Sequence, residues 1–419
     1  MGSFGLGERS GLHQFDRGLE NLSTQKILLR VFPLIVILAS FFALLTSNSC
    51  GKGIFPEVSS SGSVTVTPTP VANAFLYATN FNDGTVSAFR RNTNTGALTF
   101  IAKQSAGAVI GPMGVAVPVQ NDLAFVANAA DGNVYEYEIV QSGSTPGNLA
   151  NVGNITAGTT PQMVAIDSTG NFVYVTNAGS KTVSEYVINS QVQNVLTANG
   201  TVTGFIGKPF GIVAHPSDAF VYVSDNTAGT IFTYSIGSNG ALTQIGSPVL
   251  SLGLTPGQPG LMAIAVDSSQ SYLLVDDTSF GLVSVFLIQS NGTLTFSNSF
   301  GTAQSKPIGI ASVNSGGNTS NNYVLTANMA GNFMQPYLRS GATLTQQTTV
   351  VNLPSGPTGL VIDPARLFAY TGNSGNGTIS LIGINSSRCG TQAFCDIQNF
   401  PSESPTNLNA GTQFIATTN

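Results

Sequence analysis

A short apolar run ending in Asn or Asp recurs seven times along this chain, and its spacing leaves few folds open. The last residues of the runs are Asn80 (LYATN), Asn128 (FVANA), Asn177 (YVTNA), Asp225 (YVSDN), Asp277 (LVDDT), Asn328 (LTANM) and Asn373 (YTGNS). Successive spacings are 48, 49, 48, 52, 51 and 45 residues. Six residues past each anchor a further apolar run begins, at Val86, Val134, Val183, Ile231, Val283, Met334 and Ile379. Upstream of every anchor but the first, by 16 to 21 residues, stands a proline: Pro112, Pro161, Pro209, Pro259, Pro307 and Pro357. Each proline opens a short run such as MGVAV, FGIVA or IGIAS. The runs alternate with period two, as half-buried strands do, and the segments between them carry turn-forming Gly, Asn, Asp and Ser. Several copies add a fourth run after a hairpin signal, in NTGALTF, SNGALTQ, SNGTLTF and SGATLTQ.

A four-stranded unit repeated about every 48 residues predicts β-propeller blades. Seven anchors predict an all-β, seven-bladed propeller of four-stranded antiparallel blades over residues 74–419. The first blade lacks a proline-led inner strand, while a further proline, Pro405, precedes the C-terminal PTNLNAGTQFIATTN. The C-terminal segment is therefore expected to pair with the first blade and close the ring, which removes open sheet edges. FIATTN also looks like an eighth copy of the anchor strand, so which strand it forms stays open.

Ahead of the repeats lie two other segments. Residues 1–50 hold Arg9, Arg17, Lys26 and Arg30, then the apolar VFPLIVILASFFALL, then TSNSCG. Basic residues, a short apolar core and small residues before a cysteine make an export signal. Cys50 resembles the lipidated cysteine of bacterial lipoproteins, although Ser47 stands where a leucine is usual. Lipidation, an uncleaved membrane anchor and simple secretion all place the remainder outside the cytoplasm, at the bacterial cell envelope. Residues 51–73 read as a Ser/Thr/Pro-rich tether. In that oxidising setting Cys389 and Cys395 are expected to form a hairpin disulfide, with free thiols as the alternative.

Charge excludes one class of partner. Of 14 Lys/Arg and 19 Asp/Glu, four and three precede Cys50, which leaves the remainder at net −6 without a basic run. Binding to nucleic acid needs clustered Lys/Arg, so no nucleic-acid partner is expected.

With YVTN at the third anchor and GxLT hairpins throughout, the chain resembles the YVTN-repeat and lactonase-type propeller families, which include 6-phosphogluconolactonases and muconate-cyclising enzymes. The resemblance implies a seven-bladed scaffold with a polar site at the channel mouth. In the enzymes, inner strands typically begin Pro-Arg-His and an anchor typically reads Asn-Glu. Here the residues after the prolines are Met113, Gln162, Phe210, Gly260, Ile308, Thr358 and Thr406. Those after the anchors are Phe81, Ala129, Ala178, Asn226, Thr278, Met329 and Ser374. No Arg, His or Glu occupies these places.

The groups left for chemistry are few. His13 lies in the export signal, and His215, six residues after Pro209, matches the turn positions of Asp167 and Asp363 and reads as a turn cap. At the other rim, strand directions bring Lys208 and Lys306 to the face that carries Asp83, Asp225, Asp276 and Asp277. The lysines are candidates to bind a carboxylate or phosphate, Asp83 is a further substrate-binding candidate, and the rim carboxylates could act as a base or hold a divalent cation. No other cofactor is expected. The plainer account is that these carboxylates cap backbone N–H groups in turns, as the anchor Asn residues would. Tyr77, Tyr174, Tyr222 and Tyr370 read as core packing. These readings favour a binding or scaffold module at the envelope, whose partner is an envelope protein or a small polar ligand at the channel mouth. The alternative is a lactone hydrolase with a non-standard site. A redox role is disfavoured, since no C-x-x-C-H is present.

Overall fold

In a computed structural model of the chain the described residues are 74–107, 110–118, 122–189, 195–251, 260–302, 306–314, 322–384, 394–401 and 412–418. The export signal, the tether, Cys50, Cys389 and Pro405 lie outside them. The described secondary structure is β throughout and falls into seven antiparallel sheets.

Each anchor closes the second strand of a blade. Blade 4 shows the pattern: inner strand Pro209–Ala214, second strand Phe220–Asp225, third strand Thr230–Ile236, and an outer edge of Leu242–Gln244 and Val249–Leu250. Blade 3 runs Pro161–Ile166, Phe172–Asn177, Thr182–Ile188 and Leu196–Val202. The inner strands touch their neighbours in sequence order around a closed ring. Closure comes from the C-terminus: Thr412–Thr417 pairs with Phe75–Asn80 as the inner strand of blade 1. This segment thus supplies an inner strand rather than an eighth second strand, and that strand starts seven residues beyond Pro405.

Blade 5 departs from the proline pattern. Its inner strand begins at Leu261, which pairs with Asp277 as Pro209 pairs with Asp225. Pro259 therefore lies two residues early, and the residue following the first inner-strand position is Met262, not Gly260. The spacing of 18 rather than 16 residues to the anchor carried that signal.

Blades are joined by side chains whose partners lie one blade on. In F-x-Y second strands, Tyr77, Tyr174, Tyr222 and Tyr370 donate their hydroxyls to the carbonyls of Gly147, Gly240, Gly292 and Gly96 at 2.7–3.2 Å. These glycines form the outer hairpins of the next blade and have φ between 73° and 92°. A Cβ on any of them would come within about 2.7 Å of the Phe that starts the same strand, namely Phe75, Phe172, Phe220 or Phe368. The tyrosines pack in the core as expected, and they also tie the blades together. Burial pushes the phenols well above their ordinary range.

Two ion pairs repeat this logic. Arg91 and Arg339 stand at the ends of the third strands of blades 1 and 6, last and next to last, at the register where the other five blades carry Ile139, Ile188, Ile236, Ile288 and Ile384. Each reaches the aspartate of the preceding blade's inner turn: Arg91 to Asp363 at 3.1 Å and Arg339 to Asp267 at 2.6 Å, both pairs buried.

Candidate functional site

The anchors first organise the rim. Asn177 donates through Nδ2 to the hydroxyls of Thr182 and Ser184 and accepts from the Gly158 N–H. One side chain thereby holds the second strand, the third strand and the linker that brings the chain into the blade. Where the anchor is Asp225, the carboxylate acts as an acceptor for the linker and for the turn that follows. Oδ2 takes the Gly207 N–H at 2.8 Å and Oδ1 the Ala228 N–H at 3.1 Å. Asp225 is fully buried, so it holds the linker that presents Lys208 and does not face solvent.

One residue further, a backbone bond recurs at the rim. The N–H after the anchor meets the carbonyl that precedes the inner strand, as in Ala178 to Thr160 at 2.9 Å and Asn226 to Lys208 at 2.8 Å. A bulge follows at once, since Pro209 pairs with Asp225 but Ile212 with Val223. The extra residue re-aims the side chain after the proline, a frequent use of bulges beside sites.

Those two devices, repeated in blades 3 and 4, shape a cavity of about 270 Å³ between them. Thr160, Gln162, Ala178, Gly179, Lys208, Phe210 and Asn226 line it. Gln162 and Ala178 stand at the positions where the resemblance to the enzymes implies Arg and Glu. Gln162 donates to the Thr160 carbonyl at 3.3 Å, which fixes its amide against the wall. Lys208 is exposed and Phe210 half-buried. The cavity thus offers one ammonium, two side-chain amides, a hydroxyl and an aromatic face. This set suits a small polyhydroxylated ligand that carries an anionic or electron-rich oxygen. Among the described residues of the lining, Lys208 is the only titratable group.

The other sequence candidates are held elsewhere. Lys306 begins blade 6, with blade 5 between it and Lys208; it is exposed and adopts φ of 50°. Asp83 accepts from Thr85 at 2.5 Å and pairs with Lys103 at 2.9 Å in blade 1. Asp277 is buried, and its Oδ1 takes the Ser279 and Phe280 N–H groups at 3.1 and 3.0 Å. Burial raises its pKa while those two bonds pull it down. Asp276 is fully buried, neither of its oxygens has a hydrogen-bond partner, and burial followed by the neighbouring Asp277 charge raises its pKa well above the ordinary carboxylate value. Among the described residues no group of three or more His, Cys, Asp or Glu side chains is placed to hold a metal ion.

His215 sits in the turn after the inner strand, at the opposite rim. Its Nδ1 accepts the Ser217 N–H at 3.1 Å, and its Nε2 lies 3.0 Å from the Gln270 carbonyl, which fixes the Nε2–H tautomer. In blades 3, 5 and 7 the same place holds Asp167, Asp267 and Asp363, each of which accepts two turn N–H groups through Oδ1. His215 is a cap in this series.

Sequence reading missed the partnership of Thr160 and Asn226 with Lys208. The available signal was positional: Thr160 and Lys208 both precede an inner-strand proline, and Ala178 and Asn226 both follow an anchor.

Fold and rim together define the molecule as a seven-bladed β-propeller with a polar inter-blade cavity at its anchor rim. Residues 150–306, which include the whole cavity lining, match the family described as "Lactonase, 7-bladed beta-propeller". Among solved structures, a protein described as a candidate 6-phosphogluconolactonase from Bacteroides fragilis superposes with a TM-score of 0.67 at 12% identity, over 84% of this chain and 100% of that one. A similarly described protein from Bacteroides uniformis gives 0.66 at 16%, over 82% and 99%. The periplasmic gluconolactonase of Pseudomonas aeruginosa gives 0.62 at 14%, over 83% and 99%. At such identities the superpositions speak for the fold. No curated protein sequence matches the chain.

Proposed function

We propose that this protein is a lactone hydrolase of the lactonase propeller type, acting on a sugar lactone in the cavity between blades 3 and 4. The observation that carries the reading is the coincidence of that cavity, with Lys208 at its edge, and the stretch matched by the lactonase family. Lactones are electrophilic esters. Hydrolysis adds water to the carbonyl, breaks the ring C–O bond and releases a hydroxy acid and a proton. The ammonium of Lys208 would stabilise the oxyanion as it forms, a contribution that elsewhere amounts to roughly a hundredfold per donor. The amides of Gln162 and Asn226 would orient ring hydroxyls, and Phe210 would take the apolar face of the ring. With no carboxylate or imidazole among the described residues of the lining, the attacking water loses its proton to solvent, so turnover is expected to be slow. The test is hydrolysis of glucono-1,5-lactone and 6-phosphogluconolactone above the spontaneous rate, and its loss in Lys208→Met. Rates equal to the uncatalysed background for both substrates would overturn the reading.

A second reading, a binding module that holds a sugar acid without turning it over, is favoured by the fate of the rim carboxylates. Asp225 and Asp277 spend their oxygens on backbone N–H groups. Saturable binding of gluconate without hydrolysis would decide for it. We also propose that residues 1–50 direct export, with lipidation at Cys50, and that the tether then presents the propeller at the envelope. Radiolabelled palmitate incorporated into the full chain but not into Cys50→Ala would support this, and recovery of the unmodified full chain in the cytosol would refute it.

A further inference from the structure

The inner strands pack so closely that the third position of each is nearly always small: Gly114, Gly211, Ala263, Gly309 and Gly359 in five blades, with Met163 in blade 3. A Cβ on Gly114 would come 2.8 Å from the Met163 Cα, and one on Gly309 2.2 Å from the Thr358 carbonyl oxygen. At the same register of blade 1, on the strand that closes the ring, stands Phe414. Its backbone is held by Thr79, whose hydroxyl accepts the Phe414 N–H at 3.1 Å and lies 3.3 Å from its carbonyl oxygen.

The Phe414 ring meets Phe210, with centroids 6.4 Å apart and planes at 58°. Blades 1 and 4 are three places apart in the ring, so this contact spans the central channel. Phe210 lines the inter-blade cavity, and Phe414 does not. The largest side chain at a register of small ones is thus placed behind the one aromatic wall of the site.

We propose that Phe414 is a positioning residue for that site: it braces Phe210 from across the channel and sets the wall against which the ring of a sugar lactone or aldonate packs. The inference rests on the reading of the cavity as a sugar-lactone site. Aromatic pairs gain from offset and tilted contact beyond the area they bury, so loss of the brace frees Phe210 to turn into the channel. The strand that closes the ring then also completes the site.

The experiment uses the full chain, with gluconate binding followed by calorimetry and lactone hydrolysis followed in parallel. Phe414→Ala should weaken gluconate binding, and raise KM, about threefold to tenfold with kcat little changed. Phe414→Leu should recover most of the affinity, because a bulky apolar group still blocks the channel. Phe210→Ala and the double variant should bind equally poorly, since Phe414 acts only through Phe210. A loss of melting temperature in Phe414→Ala with affinity unchanged would overturn the proposal and leave Phe414 a channel filler. If the wild-type chain neither binds nor hydrolyses while its melting is normal, the cavity reading itself has failed. If Lys208→Met abolishes binding while Phe414→Ala does nothing, the bracing role alone has failed.

Discussion

The guanidinium of Arg91, at the end of a strand in blade 1, lies 3.1 Å from the carboxylate of Asp363 in the inner turn of blade 7, both buried. The pair sits at the seam where the ring closes, and Arg91 also reaches the Thr418 carbonyl at 3.4 Å, just past the closing strand. Asp363 in turn accepts the Leu367 and Phe368 N–H groups through its other oxygen. Removing one partner leaves an uncompensated buried charge. Arg91→Ala is therefore expected to cost about 3–5 kcal/mol, measured by denaturant unfolding. The double variant Arg91→Ile with Asp363→Asn should recover most of that loss, because isoleucine is what five other blades carry at this register.

The tyrosine ties between blades give a separate expectation. Tyr222→Phe removes the hydroxyl that Gly292 accepts and leaves a buried carbonyl unpaired, at a cost of about 1 kcal/mol. Gly292→Ala should be worse. Its φ of 83° disfavours any Cβ, and that Cβ would lie 2.4 Å from the Phe220 ring. Thermal melting of both single variants, with the alanine melting lower, checks the order.

Much of this architecture is written locally. Alternation and turn residues act over a few positions, so the anchors, the blade count and the hairpins could be read directly. Arg91 and Asp363 are 272 residues apart, and only alignment on the anchors shows an arginine standing in a column of isoleucines. Asp276 and Asp277 are adjacent in the sequence and share a rim, but alternation turns them to opposite faces of the strand. Leu273 and Val275, in step with Asp277, pack towards blade 4, whereas Leu274, in step with Asp276, packs towards blade 6. The cavity depends on the bulge after each inner-strand start and on the angle between blades, neither of which leaves a residue-level mark. Phe210 stood at a position of interest, yet its partner Phe414 belongs to a strand whose place was open until the ring closed.

His215 offers a direct comparison of capping with chemistry. His215→Asp installs the residue that blades 3, 5 and 7 use at the same turn, and it forgoes the Nε2 bond to Gln270 and the edge-on contact with the Phe220 ring. It is expected to shift stability by less than about 1 kcal/mol and to leave any lactone hydrolysis intact. His215→Ala, which caps nothing, should cost about 1–2 kcal/mol. Loss of hydrolysis in a stable His215→Asp protein would move the site to the opposite rim.

Asp276 carries the pH prediction. In blades 1 and 3 the matching residues are Thr79 and Thr176, whose hydroxyls donate at 2.7 Å to the carbonyls of Met113 and Phe210 in the next blade's inner strand. The slot is built for an O–H donor, and a carboxylate cannot donate. A protonated Asp276 can, which agrees with a pKa raised by burial and by the Asp277 charge. Tyr337, from blade 6, is the further titratable side chain coupled to it, and the sequences of the strands Leu261–Val266, Leu282–Ile288 and Pro307–Asn314 hold no ionisable residue. In the unfolded chain Asp276 ionises near the usual carboxylate value, whereas the folded state keeps the proton to higher pH. Stability from this group is therefore fully present at acid pH and is lost as pH rises through the folded pKa, by at most about 1.4 kcal/mol per pH unit within that window. Asp276→Asn keeps the shape, supplies an N–H donor and cannot ionise. Its unfolding free energy should match that of the wild type near pH 4 and exceed it near pH 8. Equal pH profiles for the two proteins would show that Asp276 stays ionised in the fold, with its charge met by a partner.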